Sequence, residues 1–161
     1  MAYNMAYIAL NVTAPLANPD SSLDTLYGVK EFAQSELDDV QKELQYIVME
    51  QIHGCTQKAN YENDIKNCLF NLNAHIKERA DMRLLKMAKD DLKMAENDLK
   101  GVLDNLFEYQ QEQKTSLKLI AMFQTIMVTA DKKIAKLKKI TQDQFYVSEI
   151  PAFNPNRIRL E

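Results

Sequence analysis

The chain has 161 residues, 46% of them apolar and 27% charged, with a formal net charge of −3. It is therefore too apolar for a disordered chain and too charged for a membrane-spanning one, and its acidity argues against a dedicated nucleic-acid binder. Only 3 glycines and 4 prolines are present, with none of the prolines between Pro19 and Pro151, whereas a sheet protein needs many turn residues. The composition predicts an all-α domain with few, long helices.

Residues 1–21 are predicted to form an extended N-terminal tail, because positions 1–19 carry no charged side chain and mix Ala, Asn, Tyr, Thr and Pro. Ser21 or Ser22 is the expected N-cap of the first helix, and Asp24 is favourable in its first turn. The tail lacks the basic region and the apolar core of a secretory signal. We therefore expect a cytoplasmic protein, or one exported without a cleavable signal peptide.

A first helix is predicted over residues 22–53. Its apolar side chains recur every three or four residues, which is typical of a helix packing along another helix. They are Leu23, Leu26, Ala33, Leu37, Val40, Leu44 and Ile47, with Lys30 as the one interruption. Gly54 stands where a C-terminal cap belongs, so the stretch that follows it is predicted to be the turn of a helical hairpin.

A second helix is predicted over residues 60–142. From Leu85 its apolar spacing alternates regularly between three and four residues over more than three heptads, a coiled-coil pattern. The residues predicted to carry the interaction are Leu85, Leu92, Leu99, Val102, Leu106, Tyr109, Ile120, Phe123, Met127, Ile134 and Leu137. Together the two helices predict an antiparallel hairpin over residues 22–142.

The polar stretch Gln110–Ser116 raises the question of a break in the second helix, since it contains no apolar side chain. The heptad count continues through it without a slip, with Gln113 and Ser116 at the two polar positions. A continuous helix must keep that phase, whereas a loop has no physical reason to do so. We therefore expect one helix with a polar layer; a break at 110–116, which would give a three-helix bundle, is the alternative.

The two predicted helices differ in length, about 48 Å against about 125 Å. The apolar stripe from about Lys93 onward would then be uncovered, which predicts a homo-oligomer or a helical protein partner. Contact with a membrane through residues 117–139 is a weaker alternative. The lysines of 131–140 are expected on a solvated face, or against the acidic first helix of the same or a neighbouring chain.

Residues 143–161 are predicted to form an extended C-terminal tail, because they include two prolines. The tail carries four candidate apolar anchors, which are Phe145, Tyr146, Ile150 and Phe153.

Signals for catalysis, cofactors or metals are weak. The Glu50-x-x-His53 pair matches half of a di-iron motif but lacks the second copy and the further carboxylates. His53, Cys55, Cys68 and His75 do not have the spacing of a zinc site. A hairpin closed at Gly54 would bring Cys55 towards Cys68. We expect no enzyme, no cofactor and no metal site.

The sequence thus predicts a non-enzymatic structural or interaction protein that self-assembles or scaffolds a larger complex by coiled-coil packing; a viral structural subunit fits equally well. In general organisation, an uncharged start followed by coiled-coil helices resembles filament and translocator subunits of bacterial type III secretion. That resemblance implies export and action at a host surface or membrane. A secretion or assembly chaperone is a further alternative.

Overall fold

A computed structural model describes residues 12–148, with side chains to residue 143. Three helices lie in that range: α1 (Ala14–Ala17), α2 (Leu23–Lys77) and α3 (Met82–Ser148). The described part contains no strand, and α2 packs against α3 as an all-α helical hairpin. The predicted fold class is therefore confirmed.

The predicted position of the turn was wrong. Gly54 lies inside α2, which continues to Lys77 rather than ending at His53. The second helix begins at Met82 rather than near residue 60, and it ends at Ser148 rather than at residue 142. It runs without interruption through residues 110–116, so the alternative of a break and a three-helix bundle was also wrong.

The turn between α2 and α3 is closed by backbone hydrogen bonds and one side-chain cap. The Ala80 N–H donates to the His75 carbonyl at 2.9 Å and the Arg79 N–H to the Ile76 carbonyl at 3.3 Å, the two bonds of a Schellman motif. Arg79 occupies the left-handed position of that motif with φ 51°. The Asp81 carboxylate then caps α3 by accepting the Leu84 N–H at 3.3 Å.

The segment before α2 is more ordered than an extended tail. Ser22 caps α2 as predicted, because its Oγ accepts the Thr25 N–H at 3.2 Å. The Ser21 hydroxyl donates to the Pro15 carbonyl at 2.6 Å and so holds α1 close to the start of α2. The predicted tail residues 1–11 and 149–161, including Ile150 and Phe153, lie outside the described residues, whereas Phe145 and Tyr146 fall within the bounds of α3.

The chain divides into two compact units. Among the described residues, the terminal unit comprises 12–37 and 121–148, and the turn unit comprises 38–120. In the terminal unit the core includes large side chains that are completely buried. Its buried residues are Val12, Leu26, Val29, Ala33, Leu37, Phe123, Ile126, Ala130 and Ile134.

Polar contacts also tie the lysine-rich part of α3 to its surroundings in the terminal unit. Lys30 of α2 pairs with Asp131 of α3 at 2.7 Å. The Lys133 ammonium donates to the Asn18 carbonyl at 3.2 Å, while that of Lys138 lies 5.6 Å from the centre of the Tyr27 ring. The expected solvated face agrees with the exposure of Lys132, Lys136, Lys138 and Lys139. The contacts that Lys133 and Lys138 make are to a backbone carbonyl and an aromatic face, not to the acidic side chains of the alternative.

The turn unit buries smaller side chains, the largest of them that of Ile47. Its buried positions on α3 are Ala88, Ala95, Val102 and Ser116, and those on α2 are Val40, Ile47 and Gly54. The larger leucines between them are only half-buried. This narrow core follows from packing two helices alone, since each helix then has a single partner along one stripe.

Candidate interaction surface

The predicted interaction residues all lie on the stripe of α3 that faces α2. Leu85, Leu92, Leu99, Leu106, Tyr109 and Ile120 in the turn unit are half-buried, and Val102 is buried. In the terminal unit Phe123 and Ile134 are buried, and Met127 and Leu137 are half-buried. We call this stripe, with the matching stripe of α2, the seam.

The expected uncovered part of the stripe does not exist. It depended on a first helix of about 32 residues beside a second helix of about 83, whereas α2 has 55 residues and α3 has 67. From Lys93 onward the seam residues of α3 are buried or half-buried in their own chain. A surface for a partner must therefore be sought outside the seam.

The predicted polar layer is present inside the seam of the turn unit. The Gln51 amide nitrogen of α2 donates to the Gln113 amide oxygen of α3 at 3.1 Å. Ser116, one seam position further on, is buried. Both polar seam positions of α3 keep the heptad phase. The polar stretch also contains no proline or glycine that would kink the helix.

Gly54 of α2 lies against Leu106 of α3 in the turn unit. A β-carbon at Gly54 would lie 2.8 Å from Cδ2 and 3.2 Å from Cγ of Leu106. The leucine therefore occupies space that a side chain at position 54 would need. Within the seam, Leu106 packs against the backbone of Gly54, which has no β-carbon. Gly54 does not cap a helix.

Tyr109 shows that acidic side chains of both helices gather on one side of the seam. Its pKa is raised above the ordinary value of 10.0, first by burial and then by the negative charge of Glu50, with smaller effects of Tyr46, Glu112 and Glu108. Glu50 and Tyr46 belong to α2, whereas Glu108 and Glu112 belong to α3. Each of these four residues immediately precedes a seam residue in the sequence.

We define the two sides of the seam by whether a residue directly precedes or directly follows a seam residue in the sequence. In an antiparallel helix pair, residues that precede seam positions lie on one side of both helices, and residues that follow them lie on the other. We call these sides the preceding flank and the following flank of the turn unit. A small pocket of about 150 Å³ agrees with this, since residues of the preceding flank from both helices, including Asn71, Leu84 and Asp91, line it.

Large apolar side chains are exposed on both flanks. On the following flank Ile52 of α2 is 64% exposed and Phe107 of α3 is 62% exposed. On the preceding flank Tyr46 and Met94 are exposed to a similar extent. The heptad pattern did not indicate these residues, because they lie beside the apolar stripe and not on it.

The cysteines and histidines do not form a metal site. His53, Cys55, Cys68 and His75 all lie on α2, a continuous helix, and the first and last of them are about 33 Å apart along it. Residues 12–143 contain no cluster of three or more His, Cys, Asp or Glu residues that could hold a metal ion. Cys55 and Cys68 are free thiols about 20 Å apart, so the hairpin expected to bring them together was wrong.

Two negative findings complete the description of the surface. In the part of the chain that the structure describes, no helix has an apolar stretch of the length needed to cross a membrane. No protein-family model matches the sequence, and no characterised protein or solved structure shows significant similarity to it.

Proposed function

We propose that this chain is a non-enzymatic structural protein that self-assembles, or scaffolds a larger complex, by helix packing on the flanks of the turn unit. The observation that carries the proposal is the distribution of exposed large apolar side chains. Of the seventeen among the described residues, fourteen lie in the turn unit and three in the terminal unit. The three are Tyr27, Val128 and Ile140.

The physical argument concerns the number of helix neighbours. A helix in a bundle of three or more buries a broad apolar face, whereas a helix in a pair buries only the seam. The turn unit has two helices yet carries apolar side chains suited to a broader face, such as Ile52 and Phe107. Further helices from another copy or another protein would remove these side chains from water, which is the favourable term in association.

The proposal is tested by measuring the mass of the full chain in solution over a range of micromolar concentrations. We expect an oligomer whose mass rises with concentration. A mass that stays at that of the monomer, with no helical partner found, would contradict self-assembly.

A pair of variants localises the surface. Replacing Ile52 and Phe107 with serine should lower the oligomer mass, because two of the most exposed apolar side chains of the following flank are lost. The matched control replaces Asn63 and Gln111 with serine, since both are exposed polar residues of the same two helices. The control should keep the mass of the original chain, and equal behaviour of the two variants would place association elsewhere.

A further inference from the structure

The two flanks of the turn unit carry opposite charges. The preceding flank has eight acidic residues and neither lysine nor arginine; they are Asp39, Glu43, Glu50, Asp64, Asp91, Asp98, Glu108 and Glu112. The following flank has six lysines and three acidic residues; the lysines are Lys66, Lys86, Lys89, Lys93, Lys100 and Lys114. The two charges therefore face opposite sides of the same pair of helices.

A short sequence pattern produces this separation. At four seam positions an acidic residue stands directly before the seam residue and a lysine directly after it. These triplets are Asp64-Ile65-Lys66, Asp91-Leu92-Lys93, Asp98-Leu99-Lys100 and Glu112-Gln113-Lys114. Three of them belong to α3, with seam residues Leu92, Leu99 and Gln113. These residues are spaced by one and by two seven-residue repeats, and each repeat is about 10 Å long.

The charged residues of the triplets are available for contacts outside the chain. Among residues 12–143 the ion pairs include Lys30 with Asp131, Lys42 with Asp39, and Lys58 with Glu62. None of the eight charged residues of the triplets belongs to these pairs, and all eight are exposed. Their like charges repel along each flank, which a surface of opposite sign would relieve.

We propose that copies of this chain stack through the turn unit, with the acidic preceding flank of one copy against the basic following flank of the next. This inference rests on the proposed self-assembly and specifies its surface. If the copies stack in parallel with little shift along the helices, each acid of a triplet meets the lysine of the same triplet in the neighbouring copy. In that arrangement Phe107 of one copy lies opposite Asn105 of the next copy. These two residues flank the seam residue Leu106, so an uncharged side chain on one flank meets an uncharged side chain on the other.

The arrangement is heterologous, because two different surfaces meet. Each added copy leaves one acidic and one basic flank free, so association continues instead of stopping at a dimer. The exposed apolar residues of both flanks, such as Met94 and Phe107, add apolar contact to the ion pairs. A partner of a single charge would satisfy only one flank, whereas a second copy satisfies both.

The first test reverses charge on one flank. Asp91→Lys with Asp98→Lys makes both flanks basic at these positions and should weaken association about 10-fold to 100-fold. The matched control, Asp90→Lys with Asp104→Lys, makes the same change in charge on the outer face of α3 and should associate like the original chain. Helical circular dichroism checks that each variant is folded, and added salt should lower the mass of the original chain.

The second test restores complementarity. Lys93→Glu with Lys100→Glu makes both flanks acidic and should also associate weakly, but a mixture with the Asp91→Lys, Asp98→Lys variant should form oligomers. A single chain carrying all four substitutions exchanges the two charges at an unchanged net charge. It should recover oligomers of the original mass.

The outcomes separate this contact from the proposed function. If the original chain is a monomer at every concentration, self-assembly and the flank contact are both wrong, and only the scaffolding of another helical protein is left of the proposed function. If the original chain forms oligomers that the Asp91→Lys, Asp98→Lys variant does not weaken beyond its control, the flank contact is wrong and self-assembly uses another surface. Failure of the four-substitution chain to associate while it remains helical would also overturn the flank contact.

Discussion

The terminal unit and the turn unit are built from the same two helices but bury different side chains. The terminal unit encloses Phe123 completely and is joined by the segment that carries Val12, whereas the largest side chain that the turn unit buries is that of Ile47, beside alanine, valine, serine and glycine. Large apolar side chains of the turn unit are instead left on its flanks. The terminal unit therefore places its largest apolar side chains inside, whereas the turn unit leaves many of its own exposed, and we propose that these exposed side chains form the surface for association.

The largest expected change in stability separates one phenylalanine of each unit. Phe123→Ala removes a fully buried ring from the terminal unit and should destabilise the protein by about 3–5 kcal/mol. Phe107→Ala removes a mostly exposed ring from the turn unit and should change stability by less than about 1 kcal/mol. Chemical denaturation of both variants below the concentration of association measures the two values, and similar losses would contradict the contrast.

The next comparison is between two glycines of the turn unit. Gly54→Ala gains helix propensity but forces a β-carbon against Leu106, so a net loss of about 1 kcal/mol is expected. At Gly101 a β-carbon would meet nothing within 4 Å, and Gly101→Ala should therefore stabilise the chain by up to about 1 kcal/mol. Thermal unfolding of the two variants should shift in opposite directions. A shift in the same direction would mean that the seam relaxes freely around Leu106.

Gly54 also shows why the sequence predicted the fold class but not the turn. Glycine is common after helix ends, and that local signal was preferred over the heptad phase. The seam of α2 continues from Ile47 through Gln51, Gly54 and Lys58 to Tyr61 in unbroken steps of three and four. The same count that correctly predicted continuity at Gln113 would have predicted continuity here.

The real turn was hard to predict because Asp81 is its one usual turn residue. Its left-handed position is occupied by Arg79, and the stretch from Glu78 to Asp81 has no glycine, proline or asparagine. The available signal was the phase, because the stripe of α2 does not lead into the stripe that starts at Leu85. The charge separation of the flanks was equally present in the sequence, but it becomes visible only when the seam is known on both helices.

The hydrogen-bonded pair Gln51 and Gln113 also distinguishes the two units, since the described core of the terminal unit has no buried polar residue. Gln113→Leu leaves the Gln51 amide without its partner and should cost about 1 kcal/mol. Replacing both glutamines with leucine should recover that loss, because no amide is then left unpaired. A double-mutant cycle by denaturation measures the coupling, and strictly additive effects would show that the hydrogen bond contributes nothing.

The turn itself should respond more weakly. Arg79→Gly places glycine at the left-handed position and should stabilise the hairpin by about 0.5 kcal/mol, after the greater freedom of glycine in the unfolded chain is subtracted. Arg79→Ala serves as the control, because it removes the charge but keeps the β-carbon. Only the glycine variant should unfold at a higher temperature; a gain in both would assign the effect to the lost charge.

The smallest effect concerns Tyr109 and the acidic side of the turn unit. Because the pKa of Tyr109 is raised in the folded chain, the folded state holds the phenol proton more tightly than the unfolded state does. The resulting stabilisation is present in full below the ordinary pKa of 10.0 and is lost as the pH rises through the raised pKa.

Glu50→Gln should move the Tyr109 pKa back towards its ordinary value, whereas Asp64→Asn, on the same flank but not among the causes of the shift, should not. The tyrosinate absorbance of each variant, minus that of the same variant carrying Tyr109→Phe, isolates this one titration. Equal shifts from both substitutions would mean that Tyr109 responds to the charge of the whole flank, and no shift from Glu50→Gln would leave burial as the cause.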